Sequence, residues 1–177
     1  MSLSIKAIQV KQMRYTNPTE NADFIALLDH YARDKMGGGE PLGDSVKTGL
    51  VNSLHARPHA ISLLAYYNDE QVQEGQQDKA IGLLNAFEAF STFANKPLIN
   101  IHDIVVKDGY RGCGVGQQLL ATIEKIANAR GCCKLTLEVL SGNEWAKKSY
   151  QKFGFNSYVL DESAGHALFW EKKLLEK

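Results

Sequence analysis

Arg111-Gly112-Cys113-Gly114-Val115-Gly116 sets three glycines on alternate positions, one turn (Lys107 to Tyr110) after an apolar, β-branched run (Ile99 to Val106) and directly before a helical pattern. These residue types at this spacing suit one kind of chemistry, the holding of phosphate. A strand delivers the chain into a loop that opens a helix, and the first turn of a helix carries unpaired N–H groups and the positive end of the macrodipole. Glycine removes the Cβ that would keep an anion away from the backbone. The N–H groups of Gly112, Cys113, Gly114, Val115 and Gly116 are therefore candidate phosphate ligands, and Arg111 adds positive charge. Spacing argues against two common phosphate binders. A P-loop requires G-x-x-x-x-G-K-[ST], and no Lys-Ser or Lys-Thr follows a suitable glycine. A dinucleotide fingerprint counted from Gly112 ends on Gln117 where it needs glycine; Glu138 lies where a ribose-binding acid would sit, but without the glycines. An unrelated nucleotide-binding α/β protein and a plain glycine-capped helix are the competing readings.

A second constellation follows one helix and one strand later: Asn143-Glu144-Trp145-Ala146-Lys147-Lys148-Ser149-Tyr150-Gln151-Lys152-Phe153-Gly154-Phe155. Asn143, Ala146, Tyr150, Lys152, Gly154 and Phe155 resemble the pattern Asn-x-x-Ala-x-x-x-Tyr-x-Lys-x-Gly-Phe of the GNAT superfamily of N-acetyltransferases. Arg111-x-x-Gly114-x-Gly116 resembles the same superfamily's acyl-CoA pyrophosphate loop, Gln/Arg-x-x-Gly-x-Gly/Ala. The resemblance covers about residues 98–156, and its nearest flavour is the spermidine/spermine type of small-amine acetyltransferase. It implies an α/β (α+β) fold with a mixed, mainly antiparallel central sheet flanked by helices, in the order β-α-α-β-β-β-α-β-α-β-β.

The resemblance also implies an activity. Acetyl-CoA would be the co-substrate, and its acetyl group would pass to a primary amine by direct attack in a ternary complex. The main chain of Ile104, Val105 and Val106 would hold the pantetheine arm like an added strand and help to polarise the thioester carbonyl. Tyr150 would protonate the departing thiolate; a tyrosine pKa of about 10 keeps the hydroxyl protonated at neutral pH. As a residue alone, Tyr150 also reads as a packing aromatic in a stripe with Ala146 and Phe153. Asn143 would bond the pantetheine or a water, and reads equally well as a helix N-cap. Relatives place an acidic residue where this chain has His102, with Asp103 beside it. Neighbouring strand residues point to opposite faces, so one of the two is expected to face the cleft, His102 if the register matches. Neutral imidazole is a competent base, and a water chain or a core histidine is the alternative.

Other reactive residues carry less. Cys113 at a helix start would have a lowered thiol pKa, but no histidine partner is identifiable, and direct transfer needs no acyl-enzyme. Cys132 and Cys133 read as packing. His55 and His59, four apart across Pro58, lack further ligands at metal spacing, so no metal is expected. The resemblance implies a small-molecule or peptide amine as acceptor; the mixed charges of Asp29 to His59 show no acidic cluster suited to a polyamine or aminoglycoside, so small amine, amino acid and protein N-terminus all stay open. An acyl-CoA-binding module without turnover is the second functional class.

The elements that must position these residues alternate along the chain. Ser4 to Val10 reads as a strand, and Asn17-Pro18-Thr19-Glu20 starts a helix with Phe24, Leu27, Leu28 and Tyr31 on one face. A glycine-rich break (37–44) leads to a second helix over 45–54. Strands are expected at 60–67, 79–93 and 99–106, then the main helix with Gly131 as its stop. A strand over 134–140, a helix over 143–152, and late strands at 156–160 and 167–173 complete the pattern. With 177 residues, the chain is read as one N-acetyltransferase domain, 1–177, able to bury roughly 70% of its unfolded surface. Twenty basic and twenty acidic residues cancel, so no global field draws it to nucleic acid or to a membrane. No apolar run is long enough to span a bilayer and no signal-peptide pattern opens the chain, so cytoplasm is the expected compartment. A homodimer is compatible with the resemblance.

Overall fold

The computed structural model describes residues 8–68, 79–159, 161, 163, 165 and 167–174. Its elements are β1 (Ile8–Gln12), α1 (Pro18–Ala32), α2 (Asp44–His55), β2 (Ala60–Tyr67), β3 (Lys79–Ser91), β4 (Lys96–Val106), α3 (Val115–Ala129), β5 (Leu135–Leu137) and α4 (Glu144–Phe153). They fall into two compact units, Met1–Leu137 and Glu138–Lys177.

In the first unit the strands form one sheet in sequence order, antiparallel from β1 to β4 and parallel between β4 and β5. β2 is buried along almost its whole length, as expected of a strand covered on both faces. On one face Leu64, Leu83 and Val105 lie side by side through their pairing and join Phe24 and Leu27 of α1 and Val51 and Leu54 of α2 in one apolar cluster. On the other face α3 packs against β2, β3 and β4. Its buried stripe is Val115, Leu119, Leu120, Ile123 and Ala127, the spacing of an amphipathic helix.

Local chemistry sets the ends of these helices. Asn17 caps α1, its Oδ1 accepting from the N–H groups of Thr19 (3.0 Å) and Glu20 (3.3 Å), with Pro18 at the first helical position. Buried Glu20 turns back to accept from the Arg14 N–H (2.6 Å) and guanidinium (2.8 Å). Burial alone would raise its pKa, but the Arg14 bonds and Lys11 outweigh this and hold it below its ordinary value. At the other end of α3, Gly131 is left-handed (φ 70°). The N–H of Cys132 reaches Ala127 O (2.9 Å) and that of Gly131 reaches Asn128 O (3.1 Å), the paired bonds of a glycine-terminated helix.

The sequence pattern departs from this structure by two residues at the ends of β1 (Gln12) and β3 (Ser91), and by more at three other places. β4 starts three residues earlier than expected, at Lys96, while β5 keeps only Leu135–Leu137 of the expected 134–140. It survives only where it pairs, at Ile99↔Leu135, Asn100↔Thr136 and Ile101↔Leu137. The late strands are not formed among the described residues: Val159 is a single bridge residue and 167–174 have no regular structure. The consecutive apolar residues Leu168, Phe169 and Trp170 favour a strand, but a strand persists only with a partner to bond. The first half of the expected first strand, 4–7, lies outside the described residues, as does most of the β2–β3 connection. In the second unit, α4 is capped by Asn143, whose Oδ1 accepts from the Ala146 N–H (3.1 Å). It is closed by left-handed Gly154 (φ 107°) with the Phe155 N–H on Tyr150 O (3.0 Å).

Two predictions follow from the packing of the first unit. A Cβ at Gly82 of β3 would meet Val115 Cγ1 at 2.9 Å, the Val105 carbonyl at 3.0 Å and Leu119 Cδ1 at 3.3 Å, whereas at Gly49 of α2 it would meet nothing within 4 Å. Gly82→Ala is therefore expected to cost about 1–3 kcal/mol in chemical denaturation by pushing α3 off the sheet. Gly49→Ala should gain roughly 0.4–1 kcal/mol; equal effects would deny the close approach of α3. Asp29 joins α1 to α2 and to the loop between them: Lys47 Nζ lies 3.1 Å from it, Arg33 Nε 3.0 Å, and the Leu42 N–H 2.8 Å. The Lys47 bond, opposed by burial and reinforced by Arg33 and Leu42, brings its pKa from 3.8 to about 2. The unfolded chain thus takes up this proton first, so the contribution is whole above about pH 4 and is lost as pH falls toward 2. Asp29→Asn should flatten the dependence of Tm on pH across that interval, and an unchanged slope would contradict the assignment.

Candidate active site

The site is organised by an irregularity in β4. Asn85 of β3 pairs with Asp103 and Ala86 with Ile101, so His102 is an extra residue with no partner, a β-bulge. This corrects the expectation that alternation would send His102 and Asp103 to opposite faces. The extra residue absorbs the alternation, and both side chains emerge on the face covered by α1 and α2. His102 sets its ring edge-on to Phe87 (centroids 5.0 Å, 81°) and is exposed. Asp103 is half-buried, and its charge is felt by Tyr31 of α1. Burial pushes the Asp103 carboxyl above its ordinary value, and an Asn85 hydrogen bond and His102 pull it part of the way back. A carboxyl raised in this way is better matched to taking a proton near neutrality than a solvated one.

Asp103 ends a row of polar side chains that the sequence reading did not single out. Ser62, Asn85 and Asp103 are direct cross-strand partners on β2, β3 and β4. The Ser62 hydroxyl donates to Asn85 Oδ1 (2.9 Å) and Asn85 Nδ2 donates to Asp103 Oδ2 (3.3 Å). The Tyr15 hydroxyl lies 3.0 Å from Ser62 Oγ. The available signal was a lone polar residue inside each of two apolar runs, Ala60–Tyr67 and Ala80–Phe87.

The glycine loop stands where the sequence puts it, between β4 and α3. Gly109, Gly112 and Gly114 have φ of 84°, 79° and 87°, with Gly114 the N-cap of α3; other residues rarely adopt these angles. A Cβ at Gly112 would meet no atom within 4 Å, and one at Gly116 would only touch Val106 Cγ2 at 3.8 Å, so the loop's inner side is open enough for an anion to reach the backbone. Val115 and Gly116 hold the first helical positions, whose N–H groups have no acceptor within the helix. The Cys113 N–H is used in the turn, donating to Tyr110 O (3.4 Å), which narrows the expected set of donors. Arg111 is also engaged: its guanidinium bonds Asp34 (3.1 Å), pairs with Asp108 (3.3 Å) and donates to the Val106 carbonyl (3.3 Å). Val105 turns its side chain into the core, while Ile104 and Val106 are half-buried. Past Ile101 the described pairing of β4 is with β3.

The second unit holds the remaining expected residues. Tyr150 lies on α4, half-buried, with its ring edge-on to Phe155 (centroids 6.0 Å). Asn143 is the cap of that helix; the cap uses Oδ1 and leaves the amide nitrogen outside it. The two histidines have separate surroundings: His55, the last residue of α2, lies against the Tyr15 ring (6.0 Å), and His59 Nδ1 is 4.0 Å from Glu88.

Comparison with known proteins bears on this geometry. Residues 25–155 match the model of the acetyltransferase (GNAT) family. Among curated proteins, the chain is 32% identical over 81 residues to a thialysine N-epsilon-acetyltransferase of Bos taurus, covering 46% of this chain and 47% of the relative. It is 37% identical over 84 residues to a streptothricin acetyltransferase of Streptomyces lavendulae, covering 48% and 44%. The chain thus spans about half the length of the curated relatives it matches. Its fold is shared with a possible acetyltransferase from Clostridium difficile 630 (TM-score 0.73, 17% identity, 96% of this chain and 99% of that one). It is shared as well with the aminoglycoside acetyltransferase AAC(6')-Iy, solved with a bisubstrate analogue built on CoA (TM-score 0.66, 20% identity, 94% and 99%).

Proposed function

The chain belongs to the acetyltransferase (GNAT) family, and on that footing we propose that it transfers the acetyl group of acetyl-CoA to a primary amine, acting as a single catalytic domain over 1–177. The observation that carries this reading is the loop Arg111–Gly116. Two of its glycines, Gly112 and Gly114, are held left-handed at the start of α3, and a Cβ at Gly112 would meet no atom within 4 Å, which suits a pyrophosphate lying on backbone N–H groups. Gly112, Gly114, Val115 and Gly116 are the donors we assign. Arg111, bonded to Asp34 and Asp108, shapes the loop as well as supplying charge. The backbone of Ile104 to Val106, beyond the last β4–β5 pair, suits an extended pantetheine arm bonding as an added strand. Asn143 contributes the amide nitrogen that its cap leaves over.

The chemistry is one displacement. The amine lone pair attacks the thioester carbonyl carbon and the C–S bond breaks. The proton of the incoming amine passes to the His102–Asp103 pair, and the thiolate takes the proton of the Tyr150 hydroxyl, a role given to Tyr150 by its motif. Direct transfer in a ternary complex needs no cysteine, and Cys113 is left as a loop residue. For the acceptor we propose a small molecule or a peptide with a primary amine. The names of the thialysine and aminoglycoside enzymes support a small amine. A spermidine/spermine-type preference is the narrower form of the same reading.

Two substitutions test it. Gly114→Glu should abolish CoA binding in calorimetry, because it strains a left-handed position and brings a carboxylate against the pyrophosphate. Unchanged affinity would remove the loop assignment. Tyr150→Phe should lower kcat by about 10²–10⁴-fold, the range of general acid catalysis, with CoA affinity kept. Tight CoA binding with no amine acetylated by the unsubstituted chain would instead favour a silent acyl-CoA-binding module.

A further inference from the structure

We propose that Tyr15, Ser62 and Asn85 form a hydrogen-bonded relay across the sheet that positions Asp103 as the proton acceptor of the reaction; this rests on the function proposed above. Ser62 and Asn85 are 1% and 6% exposed, in a face whose next row is Leu64, Leu83 and Val105. Burying polar side chains costs free energy that hydrogen bonds at best offset, and apolar residues of similar volume would pack such a row at least as stably. Stability gives no reason for the row, whereas its termination on a carboxylate beside a bulge does.

The bonds have a direction. The Ser62 proton goes to Asn85 Oδ1, which accepts only, so Tyr15 is the donor to Ser62 Oγ. With its carbonyl occupied, the Asn85 amide is held in the one orientation that aims Nδ2 at Asp103. A flipped amide would face an oxygen to the carboxylate. Tyr15 is fixed in its turn: Asn21 Nδ2 donates to its carbonyl (3.0 Å), and the neighbouring Arg14 N–H is held by Glu20. Tyr15, Ser62 and Asn85 are positioning residues; they act on the amine through Asp103. The groups that face Asp103 are His102 on its own strand, Asn85 on β3, which carries no charge, and Tyr31 on α1, itself near Asp34.

The test follows the Asp103 carboxyl directly, by ¹³C NMR of the full chain with the signal assigned through Asp103→Asn, alongside the pH profile of kcat/KM for acetyl transfer. Asn85→Ala removes a donor that favours the ionised carboxylate, so the Asp103 midpoint should rise by about one unit. The acid limb of the profile should move with it. Ser62→Ala frees the amide to turn and should shift both the same way by less. Tyr15→Phe, furthest from Asp103 and only half-buried, should shift them least, and it serves if the buried variants fail to fold. A purely structural row would lower Tm in these variants and leave the Asp103 midpoint where it was; that result in the folded variants overturns the proposal. A shifted midpoint in a chain that acetylates no amine would overturn the proposed reaction and support the coupling to Asp103.

Discussion

One extra residue in β4 sets the geometry of the amino-terminal unit. Without the bulge at His102 the strand would alternate strictly, and either His102 or Asp103 would be driven into the packing under α3. With it, Ile99 and Ile101 keep their buried places, and the two titratable side chains leave together on the opposite face. The parallel ladder to β5 ends at Ile101, the residue before the bulge, and a bulge bends and twists its strand. The segment that follows leads straight into the glycine loop. The fold thus brings the carboxylate proposed as proton acceptor, a strand segment past the last described β4–β5 pair and a helix start within one stretch of chain, Ile101 to Gly116.

The second constraint is distance. α3 lies close against the sheet, and Gly82 on β3 allows that closeness by having no side chain to hold it away. The glycines of the loop serve a different purpose, since their left-handed angles are what few other residues tolerate. Arg111 ties the loop back to Asp34 at the end of α1. Separately, Asp29 ties α1 to α2 through Lys47, so one set of ion pairs holds the loop to the end of α1 and another joins the two covering helices. Any one such surface pair is worth little.

Much of this was legible in the residues. Asn17-Pro18 gave the start of α1 because capping is local chemistry, and Gly131 gave the end of α3 for the same reason. β2 was placed residue for residue, since a buried apolar run bounded by turns has few other solutions. The loop's place was legible because an apolar strand pattern, a glycine cluster and a helical pattern follow one another, and Gly112 and Gly114 do take left-handed angles there. What could not be read depends on pairing between distant segments. The bulge is a property of register, invisible in Ile99 to Val106 taken alone, and it reversed the alternation expected of His102 and Asp103. The polar row exists only because Ser62, Asn85 and Asp103, tens of residues apart, fall opposite one another. The expected late strands show the converse: Leu168, Phe169 and Trp170 have the composition of a strand, and composition does not supply a partner.

The most direct test of the account is the thermal unfolding of the chain with acetyl-CoA, desulfo-CoA, ATP and NAD in parallel. A ligand at a hundred times its dissociation constant stabilises the folded state by about 2.7 kcal/mol, a clear shift in Tm. A pyrophosphate loop built for CoA predicts a rise with both CoA compounds, the sulfur being unnecessary for it, and none with NAD. A rise with ATP or NAD and not with CoA would contradict the reading of Arg111–Gly116 on which the site rests.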